Sequence, residues 1–240
     1  MVNWICLDIE TANASASDIE AAIAAWKPPG NCSRSETIET KRQEYAARMH
    51  ERAALMDMSP IICCSMICKT SQEKILFHCF PNGFVNESII DGWKWIHGRT
   101  EMEMLIMMRS WLDSLPEDPV IVGHNVKAFD LPKIRQSYIR NRLKLPDLLS
   151  VQLDYIVDVM DTMQLIRSFS MELRDERFIS LDQVARIMGI ERPKKLLSGA
   201  DIPKLYSAGN YQEIGTYCAI DCVTTACAFT LMTNQSSDLQ

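Results

Sequence analysis

The sequence lacks the features that would place it in several large classes. No Cys-x-x-Cys pair occurs among its nine cysteines, and none of its four histidines (His50, His78, His97, His124) stands at zinc-finger spacing from them. Cys63, Cys64 and Cys68 lie in an apolar run, and Cys218 and Cys222 are four apart, as on one helix face. They read as buried thiols in a reducing compartment, not as a disulfide framework or a zinc site. No apolar run reaches the ~20 residues needed to cross a bilayer, so no membrane association is expected. The apolar stretch at the N-terminus is broken by Asn3 and met at once by Asp8 and Glu10, unlike a signal peptide. A cytoplasmic location is the expectation. Internal repeats and low-complexity tracts are also missing, and so is any histidine beyond His124.

What is present suits a folded enzyme. In 240 residues, 47% are hydrophobic and 23% charged, enough for one large α/β domain or two small ones with a sizeable core. The net charge of −6 sits poorly with a nucleic-acid binder, because phosphate contacts need cations. That objection weakens if the acids cluster around metal ions, which reverse the local sign. Charge is also uneven. Lys127, Lys133, Arg135, Arg140, Arg142 and Lys144 fall within one stretch that holds a single acid, Asp130.

Val2 to Ile9 reads as a strand with Ile5, Leu7 and Ile9 on one face and Trp4, Cys6, Asp8 and Glu10 on the other. Residues 16–26 and 36–56 read as helices around the breaker Lys27-Pro28-Pro29-Gly30-Asn31, so 12–57 looks like a helical insertion after the first strand. Strands are expected at 61–69, 74–80, 119–123 and 155–159, and helices at 101–115, 131–142, 181–188 and 211–232. The last two helices are separated by a basic loop punctuated by Gly and Pro. A meander of three strands followed by alternating helices and strands predicts one α/β domain over residues 1–240, a mixed sheet flanked by helices.

Three segments carry possible chemistry. Asp8-Ile-Glu10 puts two carboxylates on one strand face ~6.6 Å apart. In a core that is costly unless a cation lies between them, while at a strand end emerging into solvent it is ordinary. Asp130 closes Gly123-His124-Asn125-Val126-Lys127-Ala128-Phe129-Asp130. Taken alone, an acid before Leu131-Pro132 reads as a helix N-cap with proline in the first turn, although its setting beyond a strand end also suits a site. Tyr217 and Asp221 are four apart. Each lies one position before a cysteine of the apolar stripe Ile214, Cys218, Cys222, Thr225, Phe229, Met232. They face either a cleft or simply each other at the stripe's edge.

In order and spacing these segments resemble the DEDD superfamily of 3′→5′ exonucleases, of ribonuclease H-like fold. Asp8-Ile-Glu10-Thr11 is similar to the first motif and Asn125-x-x-x-Phe129-Asp130 to the second, while Tyr217-x-x-x-Asp221 looks like the third motif of the tyrosine-bearing branch. The histidine branch needs an imidazole in the C-terminal third, where this chain has none. The stretch from Asp158 through Asp161, Ser180-Leu181-Asp182 and Lys194-Lys195 to Asp221 is similar to the exonuclease domains of family B DNA polymerases and to stand-alone predicted exonucleases of bacteria and phages.

The resemblance implies a two-metal phosphodiester hydrolase with Mg²⁺ or Mn²⁺ held by Asp8, Glu10, Asp130 and Asp221. Tyr217, neutral at pH 7, would orient the attacking water. The implied substrate is the 3′ end of a single-stranded nucleic acid, DNA favoured. Thr11, Asn125, Phe129, Lys127 and Lys195 are candidate contacts, together with Lys133, Arg135 and Lys194. Phe129 and Trp26 are candidates for stacking on bases, and Phe129 equally for the core. Asp158 and Asp161 read as supports, not ligands. Any polymerase or repair and replication partner would be a separate chain. The competing readings are an exoribonuclease acting on RNA or short oligoribonucleotides, and an inactive binding module of the same fold. Occupation of all five catalytic positions argues against the second.

Overall fold

The computed structural model describes residues 3–81, 88–115, 119–150, 159–191 and 197–234. Two compact units emerge, one of Met1–Glu10 with Ile61–Gln240 and the other of Thr11–Pro60.

The larger unit is built on a seven-stranded sheet. Its strands are β1 (Trp4–Thr11), β2 (Ile61–Cys68), β3 (Lys74–His78), β4 (Ser88–Ile90), β5 (Trp93–His97), β6 (Val120–Gly123) and β7 (Val159–Asp161), in the spatial order β4-β5-β3-β2-β1-β6-β7. β2 and β3 pair antiparallel, whereas β1–β6, β6–β7 and β3–β5 are parallel. The result is the mixed α/β sheet of a ribonuclease H-like fold. The β4–β5 hairpin, absent from the sequence expectations, turns on Asp91 and Gly92, whose φ values of +50 and +78 suit a two-residue turn.

One sheet face packs on α3 (Glu101–Leu112) and α4 (Asp130–Arg140). Ile5, Leu7 and Ile9 from β1 join Cys64, Met66, Phe77, Met104, Leu105, Met108, Ile134 and Tyr138 in one buried cluster. The Tyr138 hydroxyl, buried with its ring, donates to the Leu105 carbonyl at 2.7 Å and ties the two helices together. Glu101 opens α3, takes a bidentate 2.7 Å contact from Arg140 of α4, and accepts the Ile61 N–H at the head of β2.

The other face lies under α8 (Tyr211–Met232), the long C-terminal helix. Its predicted stripe of Ile214, Cys218, Cys222, Thr225, Phe229 and Met232 is buried throughout. By length and composition this helix could cross a bilayer, yet 67% of its most apolar window is buried inside the protein. Trp4 meets Phe229 edge to face at 6.0 Å. Gly215 is required where α8 crosses Trp95, since a Cβ there would come within 2.3 Å of the indole.

Among the described residues this unit also holds three shorter helices: α5 (Thr162–Leu165), α6 (Leu181–Met188) and α7 (Ile202–Ala208). α6 carries a full capping box between Ser180 and Gln183. α7 corrects the expectation of a loop before the last helix. Pro203 sits in its first turn, where proline is tolerated, and Gly209 ends it at φ +79. Of the strand expected at 155–159, only Val159 falls among the described residues, and the strand continues to Asp161.

The smaller unit is a helical hairpin of α1 (Ala16–Ala24) and α2 (Ser35–Glu51). Ala14, Ile19 and Ala53 form its core with Ile23, Met49 and Met56 against them.

Candidate active site

Alternation along β1 puts Trp4, Cys6, Asp8 and Glu10 on the face that α8 covers. The thiols of Cys6 and Cys222 each donate to the other's carbonyl at 3.4 Å. Cys218 donates to the Asp8 carbonyl at 3.4 Å and accepts, through its own carbonyl, the Ser65 hydroxyl at 2.9 Å. These contacts fix the helix in register on β1 and β2. Tyr217 and Asp221, one position before each cysteine, therefore come to the edge of the seam beside Asp8 and Glu10.

The second segment arrives from the other side of the sheet. β6 ends at Gly123, where a Cβ would meet Val126 at 2.5 Å, so only glycine permits the tight turn that follows. Asn125 takes a left-handed φ of +58. The loop is fastened by Asp161, a buried carboxylate that accepts the N–H groups of Asn125 at 2.9 Å, Lys127 at 3.3 Å and Met163 at 3.0 Å. His124 adds contacts to Thr162 at 3.0 Å and to the Ile179 carbonyl at 2.7 Å. This places Asp130 at the start of α4, but not as its side-chain cap. Phe129 occupies the cap position, and Asp130 Oδ1 instead accepts the Ile9 N–H of β1 at 3.1 Å. The carboxylate is thus bound to the strand between Asp8 and Glu10.

Asp130 and Asp221 lie close enough to Asp8 and Glu10 for their charges to act on both, in a region largely withdrawn from water. Burial lifts the Asp8 carboxyl well above the ordinary range, and Cys218, Glu10, Asp221 and Asp130 push it further. Glu10 is raised by burial, then by Asp221 and Asp130. Asp130, 4% exposed, is lifted to about 7 by burial, against hydrogen bonds from its own N–H and that of Ile9 that favour its charge. The Tyr217 phenol is pushed well above its ordinary value by burial, then by Asp221, Glu10 and Asp8, and its hydroxyl is hydrogen-bonded to Asp221.

This donor set fits a hard divalent cation. It offers oxygen ligands only, each raising its neighbours' pKa, and Asp8 Oδ2 is buried with no hydrogen-bond partner. Among the described residues, no three His, Cys, Asp or Glu side chains converge as a ready-made ligand shell.

The remaining sequence candidates are distributed unevenly. Lys127 is exposed on the second-motif loop, and Phe129 is half-buried against the core beneath it. Lys133 is buried, and Arg135 donates to the Leu149 carbonyl at 2.8 Å, so the basic run is largely engaged in holding α4. Thr11 is buried and its hydroxyl donates to the Ala54 carbonyl at 2.7 Å. Asp158, Lys194 and Lys195 lie outside the described residues. All nine cysteines are free and six are buried. Burial pushes Cys63 up to about 11 and Cys79 to about 12, which makes them inert thiols.

One feature near the head of α8 carried little sequence signal. The buried His78 stacks on Phe80 at 4.9 Å, and Phe80 stacks on Tyr211 at 5.2 Å. Burial, then His97, lowers His78 to about 3, so the ring packs as a neutral aromatic.

No curated protein matches the chain. Residues 93–240 match the family described as a predicted 3′-5′ exonuclease related to the exonuclease domain of PolB. That span includes Asp130, Tyr217 and Asp221, whereas Asp8 and Glu10 precede it and join the site through the Ile9–Asp130 hydrogen bond. Matched over more than half its length, the chain belongs to this family of predicted 3′-5′ exonucleases and is a phosphodiester hydrolase of the nuclease class.

Proposed function

We propose that the protein removes nucleotides from the 3′ end of single-stranded nucleic acid, DNA in preference to RNA, in a reaction dependent on two divalent cations, Mg²⁺ or Mn²⁺. The observation that carries this reading is the docking of Asp130 onto Ile9 between Asp8 and Glu10, in a buried acidic group completed by Asp221. Asp8, Glu10, Asp130 and Asp221 are the residues that would hold the cations. When bound, the ions would lower the pKa of an attacking water and neutralise the 3′ oxygen that leaves. Tyr217 is a donor, not a base. Its phenol stays protonated at neutral pH, and its hydroxyl, hydrogen-bonded to Asp221, would orient that water. Asn125 and Phe129 line the loop beside Asp130 and are the proposed contacts to the terminal nucleotides, with Lys127, Lys195 and Thr11 as further candidates. Nine free thiols support a reducing, cytoplasmic setting.

The test is digestion of 5′-labelled single-stranded DNA, RNA and duplex by purified protein in Mg²⁺, Mn²⁺ or EDTA. A ladder shortening from the 3′ end of single strands, only with metal, is expected. Asp8→Ala should leave the substrate as intact as buffer does. Digestion by Asp8→Ala at the wild-type rate would remove the cation assignment, and a preference for RNA would reverse the substrate choice.

A further inference from the structure

The inserted unit at Thr11–Pro60 lies outside the family match and, Thr11 apart, takes no part in the proposed chemistry. Its long helix is unusual. None of the 17 residues of α2 is fully buried, so packing against α1 accounts for only one side of it. Along this helix Lys41, Tyr45 and Arg48 recur at helical spacing and face Trp26, which follows α1. The Trp26 and Tyr45 rings lie 6.2 Å apart at 35°, and the Arg48 guanidinium sits 5.3 Å from the centre of the Tyr45 ring. With Pro29 and Glu44 these residues line a cavity of about 220 Å³. Both aromatics are half-buried, so their rings are held in place while still presenting surface.

We propose that this cavity is an accessory binding site for single-stranded nucleic acid, one that grips the strand independently of the hydrolytic site. The chemistry is that of strand binding without sequence preference. Aromatic rings offer a stacking surface to any base, and adjoining cations follow the phosphates. Lys41 and Arg48 outnumber Glu44 at the cavity, in a chain whose net charge is −6. A cavity lined by two aromatics and two cations suits a base with its phosphates better than an apolar or acidic peptide surface. The inference rests on the exonuclease reading only for the class of ligand, since the two sites share no residue.

The test is equilibrium binding of a 5′-fluorescein-labelled oligothymidylate to the full chain in EDTA, followed by anisotropy across a salt series. About 20 nucleotides suffices, since a single-strand site takes ~4–16. Trp26→Ala should weaken binding about tenfold, the loss of one stacked base, and Trp26→Phe should retain most of the affinity. Lys41→Ala with Arg48→Ala should lower the slope of log affinity against log salt by about 1.4, or ~0.7 for each phosphate no longer neutralised. Hydrolysis of a small chromogenic ester, thymidine 5′-monophosphate p-nitrophenyl ester, should be unchanged in every variant. Wild-type affinity and salt slope in the double variant overturn the proposal and assign the cavity to another class of partner. If the wild type cleaves neither ester nor oligonucleotide yet these binding losses appear, the exonuclease reading has failed and the accessory site stands. Normal turnover with undiminished binding means the reverse: the exonuclease reading stands and the accessory site falls.

Discussion

Replacing Asp130 by asparagine separates what its charge does from what its shape does. The amide keeps an oxygen for the Ile9 N–H, which Asp130 accepts at 3.1 Å, and removes the buried negative charge. The folded chain holds the Asp130 carboxyl at about 7, where an unperturbed aspartate sits at 3.8. At about 1.4 kcal/mol for each pH unit between them, ionising it inside the fold costs about 4 kcal/mol. Below pH 4 the group is protonated in both the folded and the unfolded chain, and the substitution is silent. From pH 4 to 7 the unfolded chain ionises while the folded one keeps its proton, so wild-type stability falls as pH rises. Above pH 7 the full penalty applies. In EDTA at pH 8, Asp130→Asn is therefore expected to be about 2–4 kcal/mol more stable than wild type, roughly 5–10 °C in Tm for a chain of this size. Asp8 and Glu10 are raised as well, so the variant keeps a shallower pH dependence of its own. Mg²⁺ should stabilise the wild type and do little for the variant, which should be inactive. Urea unfolding of both proteins between pH 4 and 8, with and without Mg²⁺, measures all of this. A variant less stable than wild type at pH 8, or a difference that does not change with pH, would refute the reasoning and return Asp130 to a purely structural role.

Other outcomes follow from the same geometry. Tyr217→Phe should lower kcat by about tenfold, the loss of one orienting hydrogen bond worth about 1–1.5 kcal/mol, with cation affinity by calorimetry retained. An unchanged rate would remove the tyrosine from the reaction. Asp161→Ala leaves two loop N–H groups and that of Met163 in the first turn of α5 without their acceptor, and should cost about 1–3 kcal/mol in urea unfolding along with most activity, although Asp161 touches no reacting atom. Gly215→Ala drives a methyl into Trp95 and should destabilise the fold by about 1–3 kcal/mol; a neutral result would mean that α8 does not press on β5 at that point.

Much of this architecture could be read from periodicity. The two faces of β1 and the stripe of α8 were visible because both elements are long and buried on a defined side. Where elements are short, the signal fails. β4 has three residues at a sheet edge, and Ile89 there is 80% exposed, so its pattern is too brief to register, although Asp91-Gly92 marks the turn. Pro203 reads as a breaker in sequence and is a helix start in the fold. The acids show the same limit differently. Asp130 beside Leu131-Pro132 carries every local sign of a cap, and only the long-range hydrogen bond from Ile9 assigns it elsewhere. Spacing likewise cannot tell that Lys133 is buried or that Arg135 holds a loop carbonyl, because burial of a cation is decided by tertiary packing.

The central claim is directional, metal-dependent hydrolysis at the acidic group on β1, and end-labelled DNA tests it most directly. With Mg²⁺, a 3′-labelled single strand should release its label as a mononucleotide in the first turnovers, while the same strand labelled at the 5′ end shortens one nucleotide at a time. Asp8→Ala and EDTA should each abolish both signals. Internal cuts, release beginning at the 5′ end, or undiminished degradation by Asp8→Ala would contradict the account.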